Sequence, residues 1–233
     1  FSNLPTEKQE KIVAAAVSEF ARHGDRKASI NTIVRDAGIS KGSLYQYFHN
    51  KEVLFVYIFE RFTLLVKRAV AEQGRSNVSR AMDGGSAMKE AVVGPEDDFF
   101  SQVGRVLQAG MEFIDRHPDY FQIYLRVLFE EDVPMREKLL TQVRLFSREY
   151  FGPLCEAGQK SGAIRPDLPL AVVIFVLDAT LDRFLQSYAQ GGLDRDLDVG
   201  QSNREELLSR VDMILKVLQE GLAVGGDSGK RGI

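Results

Sequence analysis

Residues 29–48 read SINTIVRDAGISKGSLYQYF, two short helical segments on either side of Gly38 and Ile39. Ser29 suits the cap of the first segment and Ser40 the cap of the second, because a serine hydroxyl accepts from the open N–H groups of a helix start. Gly38 permits the positive φ that a tight turn between them needs. Such a unit is a helix-turn-helix. Ile33, Ala37, Ile39, Leu44 and Phe48 then share one inward face, which turns Lys41, Gly42, Ser43, Tyr45, Gln46 and Tyr47 partly or wholly outward. That outward set combines a cation, a residue without a side chain, hydroxyls, an amide and two aromatic rings. A helix entering the major groove uses this chemistry on base edges and phosphate oxygens. The helix starts at Ser29, Ser40 and Lys51 direct free N–H groups outward, so each can seat a phosphate, and Lys51 adds a full charge. Taken singly, these residues also fit an ordinary surface, with the serines as caps only, the tyrosines packed on the next helix and Lys51 solvated. The whole set at this spacing points to DNA.

Outward from this stretch, every segment reads as helix. The first begins at Thr6, with Gln9 completing a capping box, carries Ile12, Ala16 and Phe20 on one face, and ends at Gly24. The second ends at Gly38, and the third covers residues 41–48. Asn50 caps a fourth helix running from Lys51 to about Glu72, apolar around Phe55, Ile58, Phe59 and Phe62. Residues 74–96, with Gly84, Gly85 and Gly94, read as a flexible loop. Further amphipathic segments follow at 97–116, 118–129, 134–160, 170–189 and 204–222. Pro118 and Pro134 suit first helical turns, whereas Pro153, beside Gly152, predicts a kink or break. Residues 225–233 read as a disordered tail. The expected organisation is a DNA-binding domain at 1–50, a connecting helix at 51–73 and a second helical domain at 97–224. The fold class is all-α.

Composition sets bounds on function. The chain has 233 residues, 44% hydrophobic and 27% charged, which is ordinary for a globular protein. It shows no spanning apolar run and no charged-then-apolar leader, so no membrane association and a cytoplasmic location are expected. A single cysteine, Cys155, excludes an intramolecular disulfide and is read as structural; with His23, His49 and His117 scattered, no Cys/His zinc cluster forms. Residues 1–75 hold 12 Lys and Arg against 8 Asp and Glu, a net of +4, while the remainder holds 18 against 25, a net of −7. Positive charge thus sits with the helix-turn-helix.

Residues 38–52, GISKGSLYQYFHNKE, resemble the signature of TetR-type transcriptional regulators, in which a glycine turn leads to a tyrosine-rich recognition helix and then to a lysine opening the fourth helix. Val34 departs from the small alanine usual in that family. The resemblance implies that Lys41, Gly42 and Ser43 reach the major groove and that Tyr45, Tyr47, His49 and Lys51 hold the backbone, with Gln46 able to do either. It also implies a homodimer on a palindromic operator and an inducer pocket in the second domain. Phe113, Phe121, Tyr124, Phe146, Tyr150 and Phe175 are candidates for that pocket's lining, with Asp178, Asp182, Arg126 or Glu130 as polar anchors, and a small apolar or aromatic compound as the inducer. Filling the pocket would favour an arrangement in which the recognition helices no longer match one operator.

Two stripes near the C-terminus offer a dimer surface. One comprises Leu170, Ile174, Leu177, Leu181, Phe184 and Tyr188, the other Leu208, Val211, Leu215, Leu218 and Leu222. The same stripes equally suit the protomer's own core. No Gly-rich phosphate loop, metal-ligand cluster or nucleophile beside a histidine is present, so neither enzyme chemistry nor a cofactor is expected. A helical protein-interaction module, or a DNA-binding regulator without a ligand, remains the alternative.

Overall fold

The computed structural model describes residues 1, 3–81, 98–191, 193, 194, 196, 197, 199 and 203–223. Every regular element among them is a helix: α1 (Thr6–Lys27), α2 (Ile30–Asp36), α3 (Lys41–Tyr45), α4 (Lys51–Ala81), α5 (Phe99–Arg116), α6 (Pro118–Phe129), α7 (Arg136–Lys160), α8 (Leu170–Gln190) and α9 (Arg204–Leu222). Among the described residues, none of these is long and apolar enough to cross a membrane.

Several helix ends differ from the sequence reading, each for a local reason. Thr6 does not cap α1; Pro5 occupies that position in an extended conformation, and Gln9 donates to the Leu4 carbonyl at 2.8 Å. The proline ring fixes the entry one residue early, leaving Thr6 inside the first turn. The helical run of α1 is interrupted at Gly24, with φ +68°, before one further turn to Lys27. α3 stops at Tyr45 rather than Phe48, since the next residues tighten into a turn in which the Tyr47 and Phe48 N–H groups both donate to the Leu44 carbonyl. α4 continues to Ala81 instead of ending near Glu72. An isolated Gly74 costs a helix only about 1 kcal/mol. The rest of the expected loop, and the expected tail, lie outside the described residues.

Asp98 caps α5 by accepting from the Ser101 N–H at 2.7 Å. Pro134 lies outside α7, because Met135 adopts a left-handed φ of +54° and separates it from the helix. Pro153 does not break α7, which runs through it. The proline costs a helix interior about 3 kcal/mol, and burial of Phe151, Leu154 and Cys155 on either side offsets it.

The contacts divide the chain into two compact units, residues 1–67 with 113–144, and residues 68–112 with 145–233. The division groups α6 with the helix-turn-helix, across the boundary expected at residue 97. In the first unit α1 packs on α2 and α6, and Ile12, Ala16, Phe20, Ile33, Leu54, Phe55, Ile58 and Phe59 are wholly buried. Phe20 and Phe55 meet edge to face at 5.1 Å between ring centres.

The second unit has its own core of Val103, Leu107, Cys155, Ile164, Val173 and Leu177 with their neighbours. Burial pushes the Cys155 thiol up to about 11, which leaves it an inert packing group. This core also absorbs most of the expected dimer stripes. Leu177, Leu181, Phe184, Val211, Leu218 and Leu222 are buried within the protomer, and Tyr188, Leu215, Leu170 and Ile174 pack against the same cluster. Of the residues assigned to the interface only Leu208 is exposed, and the outward apolar residues of α8 and α9 are instead Val172, Phe175, Leu208, Met213 and Val217. A helical stripe has one direction, and here the protomer's own core takes it.

Leu177→Ala should therefore lower unfolding free energy by about 2–5 kcal/mol, while Val217→Ala should change it by less than about 0.5 kcal/mol. Urea unfolding of the two variants checks this pair.

Candidate nucleic-acid interface

The helix-turn-helix forms as its caps and turn dictate. The Ser29 hydroxyl accepts from the Thr32 N–H at 3.4 Å, and the Ser40 hydroxyl accepts from the Ser43 N–H at 3.1 Å. Gly38 takes φ +66°, and the following Ile39 N–H closes back on the Val34 carbonyl at 3.0 Å. Asn50 caps α4 through the Val53 N–H at 2.8 Å. Glu19, a buried acid of α1, accepts from the Ser29 N–H at 2.7 Å and fixes the corner between α1 and α2.

On α3, Leu44 faces inward and is fully buried, with Phe48 buried just beyond. Lys41, Gly42, Tyr45, Gln46 and His49 are exposed, and Ser43 and Tyr47 are half-buried. The Lys41 ammonium lies 6.0 Å from the centre of the Tyr45 ring, so the cation and the aromatic share one patch. Tyr47 leans edge-on against Phe1 at 5.9 Å, and Phe1 also contacts Phe48 and Tyr57. The ring of Tyr47 is thus partly committed to packing. A Cβ added at Gly42 would meet nothing within 4 Å, so the fold does not require glycine there.

Lys51 has a task that its sequence position did not reveal. Its ammonium donates to the carbonyls of Arg26 at 3.0 Å and Ala28 at 3.3 Å, closing the last turn after Gly24. Two of its three donors are therefore spent inside the protein, which makes Lys51 a structural tie beside the phosphate contact expected of it. Asp25 lies beside it, with one carboxylate oxygen buried and unpartnered. Burial raises the Asp25 carboxyl above its ordinary range, against the opposing pull of Lys51.

The expected pocket residues are divided between the two units. Phe113, Phe121 and Tyr124 are buried in the first unit, where Phe113 and Tyr124 both pack on Phe62, at 5.7 and 5.4 Å. Tyr150, Asp178 and Asp182 belong to the second unit, Asp182 accepting from Gln186 at 2.7 Å. Phe146 belongs to the second unit by its backbone. Phe175 is 70% exposed. Arg126 donates to the Ala21 and Arg22 carbonyls at the end of α1 and to the Glu130 carboxylate, so the two residues expected as ligand anchors are engaged with each other and Arg126 with α1. A cleft of about 350 Å³ opens in the first unit between Val13, Ala14 and Val17 of α1, Arg61 of α4 and the Arg116–Tyr120 corner.

Residues 12–58 match the family model described as "Bacterial regulatory proteins, tetR family". Residues 97–223, more than half of the chain, match that of "Tetracyclin repressor-like, C-terminal domain". The chain belongs to the TetR family of DNA-binding transcriptional regulators. It is 23% identical over 193 residues to the probable acrEF/envCD operon repressor of Escherichia coli K12, covering 81% of this chain and 79% of that one. Over 57 residues, 24% of this chain and 30% of the relative, it is 40% identical to the transcriptional repressor SCO4008 of Streptomyces coelicolor. Among solved structures, a TetR family regulator from Chloroflexus aurantiacus superposes with a TM-score of 0.60 at 26% identity, over 96% of this chain and 97% of that one. The regulator FadR of Bacillus subtilis, solved with stearoyl-CoA, shares the fold with a TM-score of 0.66 at 16% identity, over 91% and 98% of the two chains.

Two substitutions separate reading from folding. Gly42→Ala should leave stability unchanged or raise it by up to about 1 kcal/mol through helix propensity, yet lower DNA affinity at least tenfold if backbone and base edges meet there; thermal melting and DNA titration report the two effects. Lys51→Met should lower unfolding free energy by about 1–3 kcal/mol, since two carbonyls lose a charged donor. A free phosphate clamp would instead leave the melting curve in place.

Proposed function

We propose that the chain is a homodimeric repressor that grips a two-fold symmetric operator with one α3 per half-site and is released by a small apolar ligand. The observation that carries the reading is α3 itself. Leu44 and Phe48 anchor it, while Lys41, Gly42, Tyr45 and Gln46 face outward. Within that face Lys41, Gly42 and Ser43 suit base edges, Tyr45, Tyr47 and His49 suit phosphates, and Gln46 serves either. The Ser29 and Ser40 hydroxyls are engaged as caps, which leaves the N–H groups of the two helix starts as their contribution to a phosphate.

Repression is supported by relatives named as repressors. Two-fold binding follows from the size of the reading helix, because one such unit contacts few bases and dimers supply the rest. The outward residues Val172, Phe175, Leu208, Met213 and Val217 of α8 and α9 supply the dimer face in this reading, replacing the buried stripes. The Bacillus subtilis regulator of the same fold, bound to stearoyl-CoA, supports fatty acyl thioesters as the first ligands to try. Tyr150, Asp178 and Asp182, all of the second unit, are the residues proposed to line the ligand site.

Selection of random duplexes by the purified protein should recover an inverted repeat whose retention falls steeply between 50 and 200 mM salt, as expected for several phosphate contacts. Phe175→Glu with Val217→Glu should sediment as a monomer, keep its helical content, and lose at least about a hundredfold in affinity for that repeat. Recovery of no sequence, or full affinity from a monomeric variant, contradicts the reading.

A further inference from the structure

We infer that Arg126 is a positioning residue for DNA reading, fastening the end of α1 to α6 through a contact that only glycine at position 24 allows. Its guanidinium donates from Nε to the Ala21 carbonyl at 2.9 Å and from Nη2 to the Arg22 carbonyl at 2.8 Å, while Nη1 binds the Glu130 carboxylate. These carbonyls belong to the last turn before Gly24, the part of a helix that is short of partners and negative in its dipole. A planar fork reaches two carbonyls and a carboxylate at once; a lysine ammonium at the same place does not. The side chain is only 21% exposed, so the contact is better shielded than an ordinary surface ion pair.

Gly24 completes the joint for two independent reasons. Its φ of +68° is strained for any residue with a side chain, and an added Cβ would lie 3.0 Å from a Glu130 oxygen and 3.4 Å from Arg126 Nη1. The three residues are therefore one interlocking contact, with Gly24 more than a hundred positions from the other two in the chain. Nearby, Arg26 pairs with Asp132 at 2.8 Å, but both are well exposed and add little.

The joint lies just before the corner that leads into α2. Beyond it, Lys51 ties the Arg26 and Ala28 carbonyls and Glu19 ties the Ser29 N–H, and α2 packs on α3. The end of α1, α2 and α3 thus form one piece, and freedom at the Arg126 joint becomes freedom in the direction of α3. In a dimer whose two reading helices must meet half-sites at a fixed separation, such freedom erodes discrimination between spacings. Arg126 itself need not touch DNA.

The inference rests on the DNA-reading assignment above, and its test separates the two. The wild type first selects an inverted repeat from random duplexes; failure to select any sequence overturns the assignment, and this inference with it. Affinities are then measured for that repeat and for one widened by a single base pair, across a salt series. The wild type should prefer the selected spacing by roughly tenfold or more. Arg126→Gln should reduce that preference to about threefold or less with an unchanged salt slope, Arg126→Lys should fall between, and Gly24→Ala should reproduce the loss with the guanidinium still present. Thermal melting determines the folded fraction by which each affinity is corrected. An equal proportional loss on both spacings assigns Arg126 a merely structural role and overturns the inference. A salt slope reduced by about one makes it a phosphate contact, with the same consequence.

Discussion

A five-residue helix does not hold itself together in water, because a single turn of hydrogen bonds does not offset the cost of nucleation. α3 is such a helix, and its persistence comes from the burial of Leu44 and Phe48 and the cap supplied by Ser40. The outward placement of Lys41, Gly42 and Tyr45 is a consequence of that burial, since Leu44 within the helix and Phe48 in the turn beyond it fix its rotation. The corner residues around Gly24 extend the same logic to the end of α1. Carbonyls of the turns on either side of Gly24 are taken up by Arg126 and Lys51, and the Ser29 N–H by Glu19. The surface proposed to read DNA, built on two short helices, is held by these polar ties to its larger neighbours as well as by its buried anchors.

The helix-turn-helix was legible in the sequence because its determinants are local. Ser29, Gly38, Ser40 and Asn50 act within three or four residues of themselves, and caps and left-handed turns work at that range. The ties around Gly24 were not legible, because Arg126 and Glu130 come from a segment a hundred residues away and carry no local mark; the glycine itself reads only as a helix end. Lys51 was readable as a cation at a helix start, but not as one directed back at carbonyls. α4 outruns its expected end because Gly74 costs a helix little, and α7 runs unbroken through Pro153, whose local cost neighbouring structure absorbs.

The stripes of α8 and α9 show a different gap. Periodicity states which residues share a face, but not whether that face meets its own protomer or another. Leu177 and Val211 are core, and the outward apolar positions include Phe175, expected as a pocket residue from the family resemblance, and Val217, which lies in neither stripe, each 70% exposed. The candidate ligand residues suffered likewise, because aromatic side chains serve packing and binding alike, and Phe113 and Tyr124 are visibly engaged in packing on Phe62. Membership of the TetR family accords with the part of the chain whose chemistry is most distinctive, and leaves the ligand to be found by experiment.

Amide NMR of the labelled protein, titrated with a duplex recovered by selection, bears on α3 without altering a residue. Binding through this helix should move the resonances of residues 40–49, Gly42 among the largest, with smaller changes at the helix start after Ser29 and little change in α8 and α9 beyond the dimer's own. Saturable binding that leaves residues 40–49 unmoved while shifting another surface would contradict the assignment of α3 as the DNA-reading element.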